Sequence, residues 1–233
     1  MSVATRDRLI VALDVPDTDS AKTLVAQLDD SVLFYKIGLE LAMSGHYFEL
    51  MRWLLDQGKH VFADLKFHDI PATVGRAVRQ LSDCGASFLT VHAEPGVVEA
   101  AAEHKGPDLK ILAVTVLTSI GQKDLERSGI SMSVQALSLM RATRAVEAGC
   151  DGVIASGLEA RELRNTLGAQ PYIVTPGIRT AQGGRADQQR IVTPKQAFEA
   201  GASHIVVGRP IRDAAKPYDM ADAIQLEIAN AFE

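Results

Sequence analysis

The chain has little with which to hold a polyanion or enter a membrane. Lysine and arginine total 24 against 29 aspartates and glutamates, giving a formal charge of −5 and a pI near 5.7. With no general basic field, nucleic acid is not an expected partner, and any anionic ligand must be gripped by a local cluster. No apolar run approaches the roughly 20 residues of a membrane span. Met1 to Arg8 lead directly into an apolar stretch, without the apolar core and cleavage site of a secretory leader. Cysteine is nearly absent. Cys84 and Cys150 sit in the helix-end phrases Asp-Cys-Gly-Ala and Ala-Gly-Cys-Asp, which read as a repeated scaffold position and not as two halves of a bridge. A reduced, cytoplasmic setting is therefore expected. Linkers and low-complexity tracts are also missing, and 233 residues at 47% hydrophobic content suit one domain spanning 1–233.

What is present is a repeat of short β-rich runs separated by helical periodicity. The runs are Leu9 to Val15, Leu33 to Gly38, Val61 to Lys66, Phe88 to His92, Leu109 to Val116, Gly152 to Ala155, Tyr172 to Thr175 and His204 to Gly208. Polar starts such as Asp19-Ser20-Ala21 and Ser133-Val134-Gln135 open the helices between them. Glycine phrases close them: Cys84-Gly85-Ala86, Ala148-Gly149-Cys150 and Ala200-Gly201-Ala202 resemble one another. Runs such as Ile205-Val206-Val207 are apolar throughout, as parallel strands covered on both faces require. Eight strands in this length predict a closed (β/α)8 TIM barrel over an open doubly wound sheet, so chemistry is expected at the C-terminal strand ends.

Charges occur at those ends. Alternation along Val61 to Lys66 puts Phe62, Asp64 and Lys66 on one face. Asp69 follows within three residues, strand two carries Lys36 and strand one ends in Asp14. An isolated acid and lysine read as a strand-end salt bridge. Three acids and two lysines at three neighbouring strand ends are costly to desolvate together and point to use. After strand four, His92 and Glu94 are accompanied by no second histidine at ligand spacing, so no metal is expected there; His68 reads as structural or exposed.

The segment Asp64-Leu65-Lys66-Phe67-His68-Asp69-Ile70-Pro71-Ala72-Thr73-Val74 resembles the signature of the orotidine 5'-monophosphate decarboxylase family. The similarity extends, in the order of bacterial members, to Ala12-Leu13-Asp14, Tyr35-Lys36-Ile37-Gly38, Val116-Leu117-Thr118-Ser119, Thr175-Pro176-Gly177-Ile178-Arg179, Asp187-Gln188 and Val207-Gly208-Arg209-Pro210. The resemblance implies a homodimeric, cofactor-independent lyase without a metal. In it Lys66 protonates C6 of the substrate, and Lys36, Asp64, Lys66 and Asp69 form an alternating charge array, with Asp69 and Thr73 contributed across the dimer interface. It implies further that Asp14 and Lys36 contact the ribose, Ser156 the pyrimidine, and Arg179, Gln188, Gly208 and Arg209 the phosphate. Thr118 becomes a ligand contact, although Thr-Ser-Ile-Gly also reads as a loop opening a helix. The glycine- and arginine-rich segment Pro176 to Gln188 reads as a lid. The enzymatic rival is a Mg2+-dependent sugar-phosphate lyase of the hexulose-phosphate synthase or ketogulonate-phosphate decarboxylase type, which shares Asp-x-Lys-x-x-Asp but has a glutamate where Lys36 stands. A non-catalytic uridine-nucleotide-binding barrel is the alternative from another class.

Overall fold

Apolar runs of four to eight residues, too short for stable helices and rich in valine, isoleucine and phenylalanine, form the inner wall of the molecule. The computed structural model describes residues 3–179 and 192–232. After a short 3-10 turn at Thr5–Arg8, the chain alternates β1 (Leu9–Ala12), α1 (Thr18–Leu28), β2 (Phe34–Gly38), α2 (Leu39–Ala42), α3 (Tyr47–Asp56), β3 (His60–Phe67), α4 (Pro71–Ser82), β4 (Phe88–His92) and α5 (Pro95–His104). It continues through β5 (Lys110–Val114), α6 (Gln122–Arg127), α7 (Val134–Glu147), β6 (Gly152–Ile154), α8 (Ala160–Leu167), β7 (Tyr172–Thr175), α9 (Pro194–Glu199), β8 (His204–Val207), α10 (Arg209–Arg212) and α11 (Pro217–Asn230). Every neighbouring pair of strands is parallel, and β8 closes on β1 with Ile10 opposite Val206. The expected barrel is thus closed, and the open alternative is excluded.

All eight predicted strands form, but several end before their predicted limits. β1 stops at Ala12, short of Val15, and β5 stops at Val114, short of Val116. The residues just beyond still bond to the neighbouring strand, the Leu13 N–H to the Lys36 carbonyl at 2.9 Å and the Thr115 N–H to the Ile154 carbonyl at 3.3 Å, and Asp14, Val116, Leu117 and Thr118 after them line the barrel mouth. Helix starts follow capping chemistry: Asp17 accepts the Ser20 N–H at 2.7 Å, two residues before the predicted polar start, and Ser133 accepts the Ala136 N–H at 3.1 Å. The three similar helix ends place Gly85, Gly149 and Gly201 at positive φ, a backbone shape that glycine adopts without a steric cost. Cys84 and Cys150 lie beside two of these turns and are free thiols; burial pushes the Cys150 thiol up to about 12. Among the described residues, no helix is long and apolar enough to cross a membrane.

Alternation sorts each strand into a helix-facing and an inward-facing set. Val11, Tyr35, Val61, Ala63, Leu89, Ile111, Val153 and Ile205 face the helices and join the main core. The barrel interior is a separate cluster containing Ile10, Ala12, Phe34, Phe62, Phe88, Leu112, Val174 and Val206. At its N-terminal end, contacts among the Phe34, Phe88, Tyr172 and His204 rings fall between 5.0 and 6.0 Å. Gly152 makes room for them, since a Cβ there would lie 2.3 Å from the Tyr172 carbonyl oxygen. Burial, with Arg8 and His60 nearby, holds His204 down to about 3, so this ring is a neutral part of the floor. Because Phe88 also meets Phe62, Phe88→Ala is expected to cost about 3–5 kcal/mol in urea unfolding. A loss below about 1 kcal/mol would show that the floor collapses around the gap.

Candidate active site

β1, β2 and β3 deliver charge to the mouth because their inward positions switch from apolar to ionic at the C-terminal end. Ile10 and Ala12 are followed by Asp14, Phe34 by Lys36, and Phe62 by Asp64. Lys36 is 8% exposed, so its ammonium must be paired. It donates to Asp14 Oδ1 at 2.8 Å and lies 3.4 Å from Asp64 Oδ2. Lys66 Nζ donates to the other oxygen, Asp64 Oδ1, also at 2.8 Å. Asp14, Lys36, Asp64 and Lys66 therefore form one continuous line of alternating sign. Gly38 keeps space for it, since a Cβ there would come within 3.3 Å of the Lys36 ammonium.

The electrostatics follow from burial and pairing. Burial alone would push the Asp64 carboxyl up, but Lys36 and Lys66, with hydrogen bonds from Lys66 and Thr90, together hold it below its ordinary value. Burial would likewise lower Lys36, and the carboxylates of Asp64 and Asp14 reverse that and raise it. Both groups are therefore held in their charged forms.

Lys66 does not reach Asp64 through regular pleating. Pairing of β3 with β4 is regular at Ala63 opposite Leu89 and resumes at Phe67 opposite Val91, so residues 64–66 face Thr90 alone. Two extra residues bulge from β3, and Lys66 sits at φ +47°, in the left-handed region. A non-glycine residue held there costs of order 1–3 kcal/mol. Alternation correctly placed Asp64 and Lys66 together but missed this distortion. Thr90 was also missed: its buried hydroxyl accepts the Lys66 N–H at 3.0 Å and donates to Asp64 Oδ1 at 2.8 Å.

The array forms one wall of a cavity of about 570 Å3 at the barrel mouth, a volume typical of small-molecule sites. Ala12, Phe62, Val114, Ile154 and Val206 make an apolar bed beneath it. Arg179, Gly208 and Arg209 also line the cavity, and Gly208, at the end of β8 beside β1, lies next to Asp14, where an added Cβ would come within 3.8 Å of its Oδ2. Thr118 lines it as well, as does Arg212, which donates to the Asp14 carbonyl oxygen at 2.6 Å and had no sequence signal. Ser156 is fully buried above Ile154, where its hydroxyl accepts the Leu158 N–H at 3.2 Å; it is not part of the cavity lining. Gln188 and most of the expected lid lie outside the described residues. The described ends of that segment meet, with the Arg179 N–H donating to the Val192 carbonyl at 3.0 Å.

Within one chain Asp69 and Thr73 stand apart from the cavity. Asp69 is exposed and accepts its neighbour Ile70's N–H at 2.6 Å, while Thr73 lies in the first turn of α4. Folding also assembles a group that spacing did not reveal: the His68 and His92 rings are 4.8 Å apart and His68 Nε2 is 3.6 Å from Glu94 Oε2. Arg141 takes the other side of Glu94 at 3.7 Å, so the carboxylate already faces a cation.

A parallel (β/α)8 barrel whose C-terminal mouth combines an ammonium–carboxylate array with guanidinium groups in one cavity defines a class of enzyme that binds a phosphorylated small molecule. Comparison with known proteins narrows this class. The model of the Orotidine 5'-phosphate decarboxylase / HUMPS family matches residues 7–224, and the chain belongs to this family. It is 54% identical over 227 residues to the orotidine 5'-phosphate decarboxylase of Methylococcus capsulatus, covering 97% of this chain and 93% of that protein. It is 52% identical over 229 residues to the enzyme of the same name from Rhodopseudomonas palustris strain HaA2, covering 98% and 97%. The crystal structure of orotidine 5'-phosphate decarboxylase from Lactobacillus acidophilus superposes with a TM-score of 0.84 at 35% identity, covering 95% of this chain and 99% of the other.

The lowered Asp64 carboxyl sets a pH signature. A depressed folded-state value gives stability that is full above the ordinary 3.8 and lost as pH falls through the folded value. Asp64→Asn, which breaks the buried pairing, should cost about 3–5 kcal/mol at pH 7. In urea unfolding, that difference from the unsubstituted protein should hold steady down to about pH 5 and shrink below about pH 4. A difference independent of pH would mean that the carboxylate charge contributes nothing.

Proposed function

We propose that this chain converts orotidine 5'-monophosphate to uridine 5'-monophosphate and carbon dioxide, with Lys66 as proton donor. The observation that carries the reading is the line Asp14–Lys36–Asp64–Lys66 at 2.8, 3.4 and 2.8 Å, in a family that includes this activity. Breaking the C6–carboxylate bond leaves the electron pair on C6 as carbon dioxide departs. The Lys66 ammonium stabilises that charge and delivers its proton to C6. Asp64 stands beside the leaving carboxylate, and their repulsion ends as carbon dioxide leaves. Lys36 and Asp14 hold the ribose, Thr118 the base, and Arg179, Gln188, Gly208 and Arg209 the phosphate; Ser156, fully buried behind the lining, contacts the base once binding uncovers its hydroxyl.

A single charged hydrogen bond contributes about 1.5–3 kcal/mol, whereas enzymes lower barriers by roughly 8–23 kcal/mol. Phosphate binding away from the reacting carbon must therefore also act in the transition state, holding C6 against Lys66. Where the sugar-phosphate lyases have a glutamate this chain has Lys36, whose ammonium, paired with Asp14 and Asp64, would repel a divalent ion.

Asp69 completes the array from the second subunit of a homodimer, with Thr73 at the same interface. Supporting this, Asp69 is exposed and bonds to the Ile70 N–H while Lys66 pairs with Asp64, and the adjoining Ile70 is 65% exposed, an apolar side chain suited to burial by a partner. The two free thiols suit a reduced, cytoplasmic setting.

Ultraviolet absorbance with orotidine 5'-monophosphate in EDTA should show loss of the orotate chromophore, abolished by Lys66→Ala. No turnover in EDTA, with activity on a ketogulonate phosphate once Mg2+ is added, would replace this reading with the lyase rival. Arg209→Ala should reduce kcat and raise KM, with kcat/KM falling at least about tenfold, or 1.4 kcal/mol; a KM effect with kcat intact would contradict the transition-state role of the phosphate. Lys66→Ala and Asp69→Ala homodimers should each be nearly inactive, and mixing them under subunit exchange should restore activity. Failure to recover would overturn the shared site.

A further inference from the structure

We infer that Thr90 is a positioning residue whose single hydroxyl holds Lys66 and Asp64 in register for proton delivery. This deepens the decarboxylase reading and rests on it for its kinetic test. Thr90 occupies the place on β4 opposite residues 64–66, two of them extra to the ladder, where β3 offers it no paired partner. Its side chain supplies what the backbone does not: Oγ1 accepts the Lys66 N–H at 3.0 Å. An acceptor bound to an N–H must direct its one proton elsewhere, and Thr90 donates it to Asp64 Oδ1 at 2.8 Å. That is the oxygen which also accepts from Lys66 Nζ at 2.8 Å. Main chain of Lys66, hydroxyl of Thr90, carboxylate of Asp64 and ammonium of Lys66 therefore close into one ring.

The ring accounts for the strained lysine. A side chain on a regular pleat inherits its direction from the strand, whereas Lys66 at φ +47° is aimed by the contacts that over-determine it. The hydroxyl is fully buried, so water does not replace it at either partner. Without it the Lys66 N–H loses its acceptor and Asp64 loses one of its donors, while the cavity lining, of which Thr90 is not a member, keeps its substrate contacts. Loss should therefore fall on turnover and not on binding.

The test compares Thr90→Val, which keeps the shape and removes the hydroxyl, with Thr90→Ser, which keeps the hydroxyl, in the intact protein. Thr90→Val is expected to lower kcat on the order of a hundredfold, the scale of an ångström-sized misplacement, while KM changes less than about threefold. Thr90→Ser is expected to restore kcat to within about threefold of the unsubstituted protein. Crystal structures of both should show Lys66 leaving positive φ, or Nζ separating from Asp64, in the valine variant alone. Unchanged kcat in Thr90→Val, or lost kcat with the Lys66 geometry intact, would overturn the inference. If Thr90→Val does not fold, Thr90→Cys, of similar size but a weak donor and acceptor, should fall between serine and valine in kcat; full activity would overturn it. If the unsubstituted protein shows no turnover with orotidine 5'-monophosphate, the decarboxylase reading fails by itself. The crystal structures then decide the role of Thr90: it stands if the valine variant alone loses the geometry and falls if that geometry persists.

Discussion

One buried carboxylate shared by two ammonium ions organises this molecule. Asp64 presents Oδ2 to Lys36 and Oδ1 to Lys66 and Thr90. Charges withdrawn from water in this way persist only if every partner is held in place. β2 supplies Lys36 from a regular position, Asp14 follows two residues after the end of β1, Gly38 leaves the ammonium its space, and β4 supplies the hydroxyl. The bulge in β3 brings the second lysine to the same carboxylate at the cost of a left-handed backbone. The apolar bed of Phe62, Ala12 and Val206 shields the array from below and leaves one open side, toward the cavity.

The barrel separates cohesion from chemistry along its axis. At the N-terminal end, aromatic rings and a neutral histidine fill the interior with no net charge. At the C-terminal end, the same inward positions carry ions and line an open cavity. Two residues along a strand are enough to pass from one regime to the other, as Phe34 to Lys36 and Phe62 to Asp64 show. Closure of the sheet is what matters for function, because it places β8 beside β1 and so brings Gly208 and Arg209 to the same mouth as Asp14.

Much of this was legible in the sequence. Strand positions and closure followed from strand count and period-two alternation, which also set Lys36 and Asp64 at inward positions, whereas Asp14 beyond the end of β1 and Lys66 on the bulge reach the array outside regular pleating. What escaped notice depends on irregular or non-local contacts. Thr90 lies within Phe-Leu-Thr-Val-His, where a β-branched residue needs no further reason to be present. The bulge gives no signal in Asp64-Leu65-Lys66, and Arg212 looks like an exposed helix residue until it is seen to bind the Asp14 carbonyl. His68 and His92 are separated by 24 positions and joined only by folding, so ligand spacing could not disclose them. For Asp69, the chain's own geometry leaves the carboxylate outside its array, so the role implied by the signature motif rests on the proposed second subunit.

The proposed proton transfer requires Lys66 to align with the reacting carbon, and a crystal structure of the protein with uridine 5'-monophosphate tests this most directly. It should place pyrimidine C6 about 3–3.5 Å from Lys66 Nζ, a near-attack separation, with the phosphate against Gly208 and Arg209. A nucleotide seated with C6 turned away from Lys66, or with its base outside the line from Asp14 to Lys66, would contradict it.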